Sequence, residues 1–186
     1  MLTIVVPVKN PPDLALFIQA NKQLLSKYPL IVIDSGKGKE LAPLASTYLE
    51  KELSLWEARK LGYSQVKSPF ILNLDSDVVL PEGYVEKALR ILTSNENVGA
   101  VSIFFITSKH RGVLEFGASV WRTSLLKKLY DYNPQSLENN KVFQLSPNKF
   151  VIPSHGYCEC LYMWEKLERT GFKLEPLPCR AVHLKS

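Results

Sequence analysis

Short runs of β-branched and aliphatic residues alternate with longer stretches of helical period, and this alternation constrains the fold more than any single residue does. Apolar runs without polar alternation are buried on both faces, and strands separated by helices are joined by crossovers. The pattern therefore predicts an α/β protein with a mixed, mainly parallel sheet flanked by helices. Leu2–Val8, Leu30–Asp34, Phe70–Leu74 and Val98–Ile106 are the predicted strands. Asn10 and Pro11 are placed to open a helix with Leu14, Phe17, Ile18, Leu24 and Leu25 on one face. Ser54 and Glu57 have capping-box spacing, which predicts a helix over Leu55–Val66, and Pro81 starts another through Leu92. The second half is less regular. Gly112–Trp121 reads as strand or hairpin, Arg122–Tyr130 as helix, and Asn133–Asn148 as a long polar loop. Gly156–Thr170 reads as a helix with Leu161, Trp164 and Leu167 inward, ended by Gly171, and Phe172–Leu184 as extended chain. No linker divides the sequence, so residues 1–186 are expected to form one domain.

Composition narrows the class. With 186 residues, 46% apolar and 22% charged, the chain can bury a core without disulfides or a structural metal. Its net charge of +5 suits an anionic ligand without naming one. The best apolar run, Val98–Ile106, holds Ser102 and falls far short of the ~20 residues of a membrane span. The opening Met1–Pro7 has no basic region ahead of its apolar stretch, so it does not read as a signal peptide. Three cysteines do not make a secreted disulfide framework, and a cytoplasmic setting is expected, with peripheral membrane contact left open. Aromatics are not interleaved with the basic residues as in a nucleic-acid reader, so no nucleic-acid partner is expected.

The acidic tripeptide Asp75-Ser76-Asp77 is the first candidate for chemistry. It follows an apolar strand at its carboxyl end, where open α/β sheets place ligands. Two carboxylates this close repel, and a site that keeps both ionised usually holds a cation beside them. Magnesium and manganese take oxygen ligands and leave positions for phosphates. The same tripeptide would also serve as an acidic turn ahead of the Pro81 helix.

Several segments, in order, resemble the family 2 glycosyltransferases, enzymes with the nucleotide-sugar-binding GT-A fold. Thr3-Ile-Val-Val-Pro-Val-Lys-Asn10 is similar to that family's opening strand, and Leu30-Ile-Val-Ile-Asp34-Ser-Gly to its second. Glu57-Ala-Arg59-Lys-Leu-Gly62 resembles its Arg-x-x-Gly helix, and Ser68-Pro-Phe-Ile-Leu-Asn-Leu-Asp75-Ser-Asp77 its metal-binding strand. Leu114–Arg122 is similar to an acceptor-side segment, Cys158-Glu159-Cys160 through Phe172 to the Glu-Asp helix, and His183 to a late histidine.

The resemblance implies a fold, a reaction and a set of roles. The GT-A-like domain would split into a nucleotide-sugar half, 1–95, and an acceptor half, 96–186. Backbone groups around Pro7 and Val8, with Asp34, would contact the nucleoside of a nucleoside diphosphate sugar. Arg59 would lie near the phosphates, a task suited to guanidinium. Asp77 would bind manganese or magnesium directly, Asp75 would reach the ribose or the metal through water, Ser76 would contact the nucleotide sugar, and His183 would be a third ligand or diphosphate contact. Glu159 would take the proton of an acceptor hydroxyl on a glycan, lipid or protein, giving inversion, and Asn133–Asn148 would form a lid. One departure stands out: the family's Glu-Asp pair reads Glu159-Cys160, and that Asp is commonly the base. A retaining route, a nucleotidyltransferase and a non-catalytic nucleotide-sugar binder are the alternatives, although the first loop lacks the glycines of a nucleotidyltransferase.

Ordinary structural roles compete at each position. Asp34 suits a turn cap, Arg59 an exposed pair with Glu52 or Glu57, His183 a surface site, and Glu159 a helix N-terminus. Cys158, Cys160, Cys179 and His183 could be zinc ligands, a disulfide could join Cys158 or Cys160 to Cys179, or the thiols could simply be buried. The basic residues Lys109, His110, Arg111, Arg122, Lys127 and Lys128, with Glu115 as the one acid among them, could face a charged acceptor or simply solvent.

Overall fold

The computed structural model describes residues 1–105, 115–133, 143–146, 149–151 and 159–184. Ten strands and six α-helices alternate along them. In the first half they are β1 (Leu2–Val8), α1 (Leu14–Ala20), α2 (Lys22–Lys27), β2 (Leu30–Asp34), β3 (Thr47–Glu50), α3 (Leu55–Gln65), β4 (Phe70–Leu74), β5 (Val78–Val79) and α4 (Tyr84–Ser94). In the second they are β6 (Val98–Phe105), β7 (Ala118–Arg122), α5 (Thr123–Leu129), β8 (Phe143–Ser146), β9 (Lys149–Val151), α6 (Glu159–Arg169) and β10 (Lys173–His183). A 3-10 turn over Lys39–Leu44 precedes β3.

Eight strands form one sheet in the order β3-β2-β1-β4-β7-β6-β10-β5. The pairs β2/β3, β1/β2, β1/β4 and β6/β10 are parallel, while β7 runs antiparallel to both β4 and β6, and β5 antiparallel to β10. The carboxyl ends of β1, β2, β4, β6 and β10 therefore meet at one rim. The start of β7 joins them there, because Leu74 pairs with Ala118.

Both faces of the sheet are covered, which is why β1, β2 and β4 are buried along their whole length. Leu2, Ile4, Val6 and Val8 of β1 face a layer that includes Phe17, Leu25, Tyr84, Ala88 and Leu92 from α1, α2 and α4. Val5 faces the opposite layer of α3, α5 and α6, with Tyr63, Leu126, Met163, Trp164 and Leu167. Gly62 allows α3 to lie close on the sheet, since a Cβ there would meet Val5 Cγ1 at 2.5 Å.

The first helical segment differs from its expected form. Asp13, not Asn10, caps it by accepting from the Leu16 amide at 2.9 Å, and it breaks in two at Asn21. The Asn21 amide donates to both Phe17 O and Val78 O and accepts from the Leu80 amide, so its side chain ties the break to the strand following Asp77. The Ser54–Glu57 capping box is present in both directions. The helix expected from Pro81 begins at Tyr84, because Gly83 sits in the left-handed region at φ 71° and closes a turn first. Asn133–Asn148 is not wholly loop: β8 lies within it and pairs with β9, while 134–142 and 147–148 lie outside the described residues. The expected helical start at Gly156–Cys158 lies outside them too. No helix among the described residues is long and apolar enough to cross a membrane.

Candidate active site

The rim at the carboxyl ends of the parallel strands gathers most of the expected site residues. At one end, Val8 and Asp34 are register partners, as are Pro7 and Ile33. The Val8 carbonyl accepts from the Ser35 amide at 2.9 Å, which turns the chain away from the sheet. Asp34 is fully buried and engaged at both oxygens: the Lys37 amide donates to Oδ1 at 2.9 Å and the Tyr48 hydroxyl to Oδ2 at 2.5 Å. It thus caps its turn. Burial and the adjacent Asp34 carboxylate push the Tyr48 hydroxyl well above its usual range, so it stays a donor.

Strand β4 delivers Asp75, Ser76 and Asp77 to the middle of the rim. Ser76 and Asp77 are buried, whereas the Asp75 side chain keeps 23% exposure. Pairing of β5 with β10 sets Val78 opposite His183, and it brings His183 Nε2 to 3.4 Å from Asp77 Oδ2. The Leu184 amide donates to the Asp77 carbonyl at 2.7 Å and fixes the same junction.

Arg59 projects from α3 into the space beside β4. It is only 2% exposed, unlike a solvated helix residue paired with Glu52 or Glu57. Its guanidinium forms ion pairs with Asp75 and with Glu159 of α6, and it lies 5.4 Å from the Phe116 ring centroid. Glu159 Oε1 also accepts from the Tyr130 hydroxyl at 2.5 Å. Burial raises the Glu159 carboxyl above its ordinary range, against the opposing pull of Arg59 and Tyr130. Beneath these groups Tyr63, Phe116, Trp121, Tyr130 and Trp164 pack ring on ring at 5.0–5.9 Å, which keeps water from the guanidinium.

Glu115, Phe116 and Gly117 lead into β7 and close the group. Asn73 Nδ2 and Ser119 Oγ both donate to the Phe116 carbonyl, and the Asp75 amide donates to Gly117 O at 2.9 Å. Any side chain at Gly117 would strike Asp75, since its Cβ would fall 2.1 Å from Oδ2. Burial first, and the Asp75 charge second, push the Glu115 carboxyl up to about 7. Among the described residues, three carboxylates here face the single Arg59 guanidinium.

A divalent cation fits the donors at Asp77 and His183. A carboxylate oxygen and an imidazole nitrogen at 3.4 Å can ligate one ion and leave its other positions to phosphate or water. No cluster of three or more His, Cys, Asp or Glu is gathered for a metal among the described residues. Asp75, two residues before Asp77, is paired with Arg59. Among the described residues no cluster for zinc gathers at the cysteines and no disulfide joins Cys160 to Cys179; Cys158 lies outside the described residues, as do Lys109, His110 and Arg111. Arg122 donates to Leu92 O and Asn95 O at the end of α4 and to Val98 O at the start of β6, and Lys127 donates to Ser64 O and Val66 O at the end of α3, which is structural work.

Residues 3–151 match the family model described as Glycosyl transferase family 2. The chain belongs to that family. Among solved structures it is similar to the mannosyltransferase PcManGT from Pyrobaculum calidifontis in complex with GDP-Man and Mn2+, at a TM-score of 0.66 and 16% identity, covering 100% of this chain and 57% of that one. It is similar to S. aureus TarS 1-349, at a TM-score of 0.62 and 12% identity, over 98% of this chain and 60% of that one. It also resembles glucosyl-3-phosphoglycerate synthase from Mycobacterium tuberculosis in complex with Mn2+ and UDP-Glc, at a TM-score of 0.63 and 16% identity, over 99% and 69%. At these identities the likeness is one of fold, and the fold is GT-A. The chain spans less than two thirds of the TarS and PcManGT chains. No curated protein sequence matches it.

Sequence reasoning missed Tyr48, Tyr130 and the placement of Glu115. Tyr48 sits on a four-residue edge strand, Tyr130 follows a helix, and Glu115 lies in a connection, so neither period nor spacing marked them. The Arg59–Glu159 contact spans 100 positions, beyond any local signal.

Proposed function

We propose that the protein transfers a sugar from a nucleoside diphosphate sugar to an acceptor hydroxyl, with inversion and with a divalent cation. The observation that carries this reading is the meeting of Asp77 and His183 at the sheet rim, beside the Arg59-held Asp75. The nucleoside would lie over Pro7, Val8 and Asp34, so residues 1–95 form the donor half and 96–186 the acceptor half. Family membership supports it, as do similar structures whose ligands are GDP-Man or UDP-Glc with Mn2+.

Asp77 and His183 would hold manganese or magnesium; the chemistry such a cation supplies is neutralisation of the leaving diphosphate. Asp75 and Ser76 orient the ribose and donor phosphates at the same rim. Arg59 pairs with both Asp75 and Glu159 and fixes their positions in a site partly shut off from water. The acceptor oxygen attacks the anomeric carbon from the side opposite the diphosphate, and a carboxylate on the acceptor side takes its proton. Two carboxylates stand there, Glu115 and Glu159.

A thermal-shift screen of UDP-, GDP- and dTDP-linked sugars, each with and without manganese, tests the reading. Stabilisation by at least one of them that grows with manganese is expected from mass action. No shift with any of them contradicts it. Release of a nucleoside diphosphate and sugar, rather than pyrophosphate, separates a transferase from a nucleotidyltransferase.

A further inference from the structure

Resting on that reading, we infer that Glu115, not Glu159, is the base that removes the acceptor proton. Position 160, where the resemblance expects the basic aspartate, carries a thiol. That thiol points at a carboxylate: Cys160 Sγ lies 3.5 Å from Glu115 Oε1. The Glu115 side chain thus comes from the β6–β7 connection to the place that α6 fails to supply.

Its backbone is fixed on both sides. The Glu115 amide donates to Ile103 O at 3.1 Å, and its carbonyl accepts from Ser102 Oγ at 2.6 Å. The carboxylate accepts from the Gly117 amide at 3.3 Å and keeps lone pairs to spare. It is half-buried, and the Gly117 to which it bonds abuts Asp75 at the donor end.

Glu159 is held differently. Arg59 engages Oε2 and the Tyr130 hydroxyl engages Oε1, so taking a proton would weaken an ion pair and a short hydrogen bond together. Among the described residues no cation forms a salt bridge with Glu115. Glu159 is a positioning residue, and its charge holds Arg59.

The step balances without a co-reactant. The hydroxyl proton passes to a Glu115 oxygen, the O–H pair forms the bond to the anomeric carbon, and the bond to the diphosphate breaks with its electrons on the leaving phosphate.

The test compares E115Q, E115D and the double variant E115Q/C160D with the wild type. Two quantities are read with manganese: calorimetric binding of the donor found in the nucleotide-sugar screen, and release of nucleoside diphosphate with water as acceptor. E115Q is expected to bind donor within about twofold of wild type and to lose roughly 10²–10⁴-fold in turnover. E115D should keep more turnover than E115Q, and C160D in the E115Q background should recover at least about tenfold, because it restores a carboxylate beside the same space. E115Q that binds donor and turns over like wild type overturns the assignment of the base and leaves the transferase reading standing. Wild-type protein that binds no donor overturns both.

Discussion

Arg59 shows how one buried charge can organise a site. Its guanidinium is taken from water and given two carboxylates and an aromatic ring, and removing it would leave Asp75 and Glu159 without their cation. R59M is expected to lower stability by about 3 kcal/mol, the lower end for a broken buried pair because Asp75 keeps partial exposure, as urea denaturation would show. Glu115 makes the opposite contribution. Its carboxyl, ordinarily near 4.5 and here about 7, binds more protons in the folded state between those values. Folding stability from this group is therefore greatest below about 4.5 and falls as pH rises through 7. Asp75 and Arg59 face it with opposite effects, and the Cys160 thiol and Gly117 amide favour its charged form. In E115Q that slope should vanish, so melting temperatures across pH 5–8 should fall less with pH than in wild type; parallel curves would contradict the assignment. Some candidate residues were legible from local pattern, because Asp34 ends an apolar strand and the Asp75–Asp77 tripeptide follows another, whereas His183 ends a strand with few buried residues and was marked by the family resemblance alone. Their partners were not: Arg59, Tyr130 and Glu159 meet only once α3, α5 and α6 pack on one face.

Among the elements, those buried on both sides were the most readable. The predicted boundaries of β1, β2 and β4 agree with the structure, since two covered faces demand continuous apolar runs. Strand β3 lies at the sheet edge with partly exposed residues, and β5 has two residues, so neither leaves a clear pattern. The break between α1 and α2 was hidden because apolar spacing continues through it; Asn21, bonded to the far side of the Asp77 turn, decides it. Helix α3 places Arg59, and Gly62 sets its depth. G62A gains up to about 1 kcal/mol in helix propensity, but its Cβ would strike Val5 on a central strand. Overpacking of that kind costs about 1–3 kcal/mol, so a net loss of about 1 kcal/mol is expected in denaturant melts. A more stable G62A would show that α3 can move outward without strain.

Across the whole molecule, one sheet carries both halves. The parallel strands β1, β2 and β4 present Val8, Asp34 and the Asp75–Asp77 turn, while β10 returns along the other side to set His183 against Asp77. The contacts that close the site, His183 to Asp77, Glu159 to Arg59 and Gly117 to Asp75, join residues far apart in sequence, so the α/β pattern and the GT-A architecture could be read from the sequence whereas the site's closure could not. The central claim is that the donor's diphosphate binds at this rim through a cation held by Asp77 and His183. Calorimetric titration of wild type and D77A with the donor from the nucleotide-sugar screen, each with and without manganese, tests it most directly. The expected result is manganese-dependent binding by wild type that D77A loses at least tenfold while its melting temperature holds. Equal, manganese-independent affinity in the two proteins would contradict it.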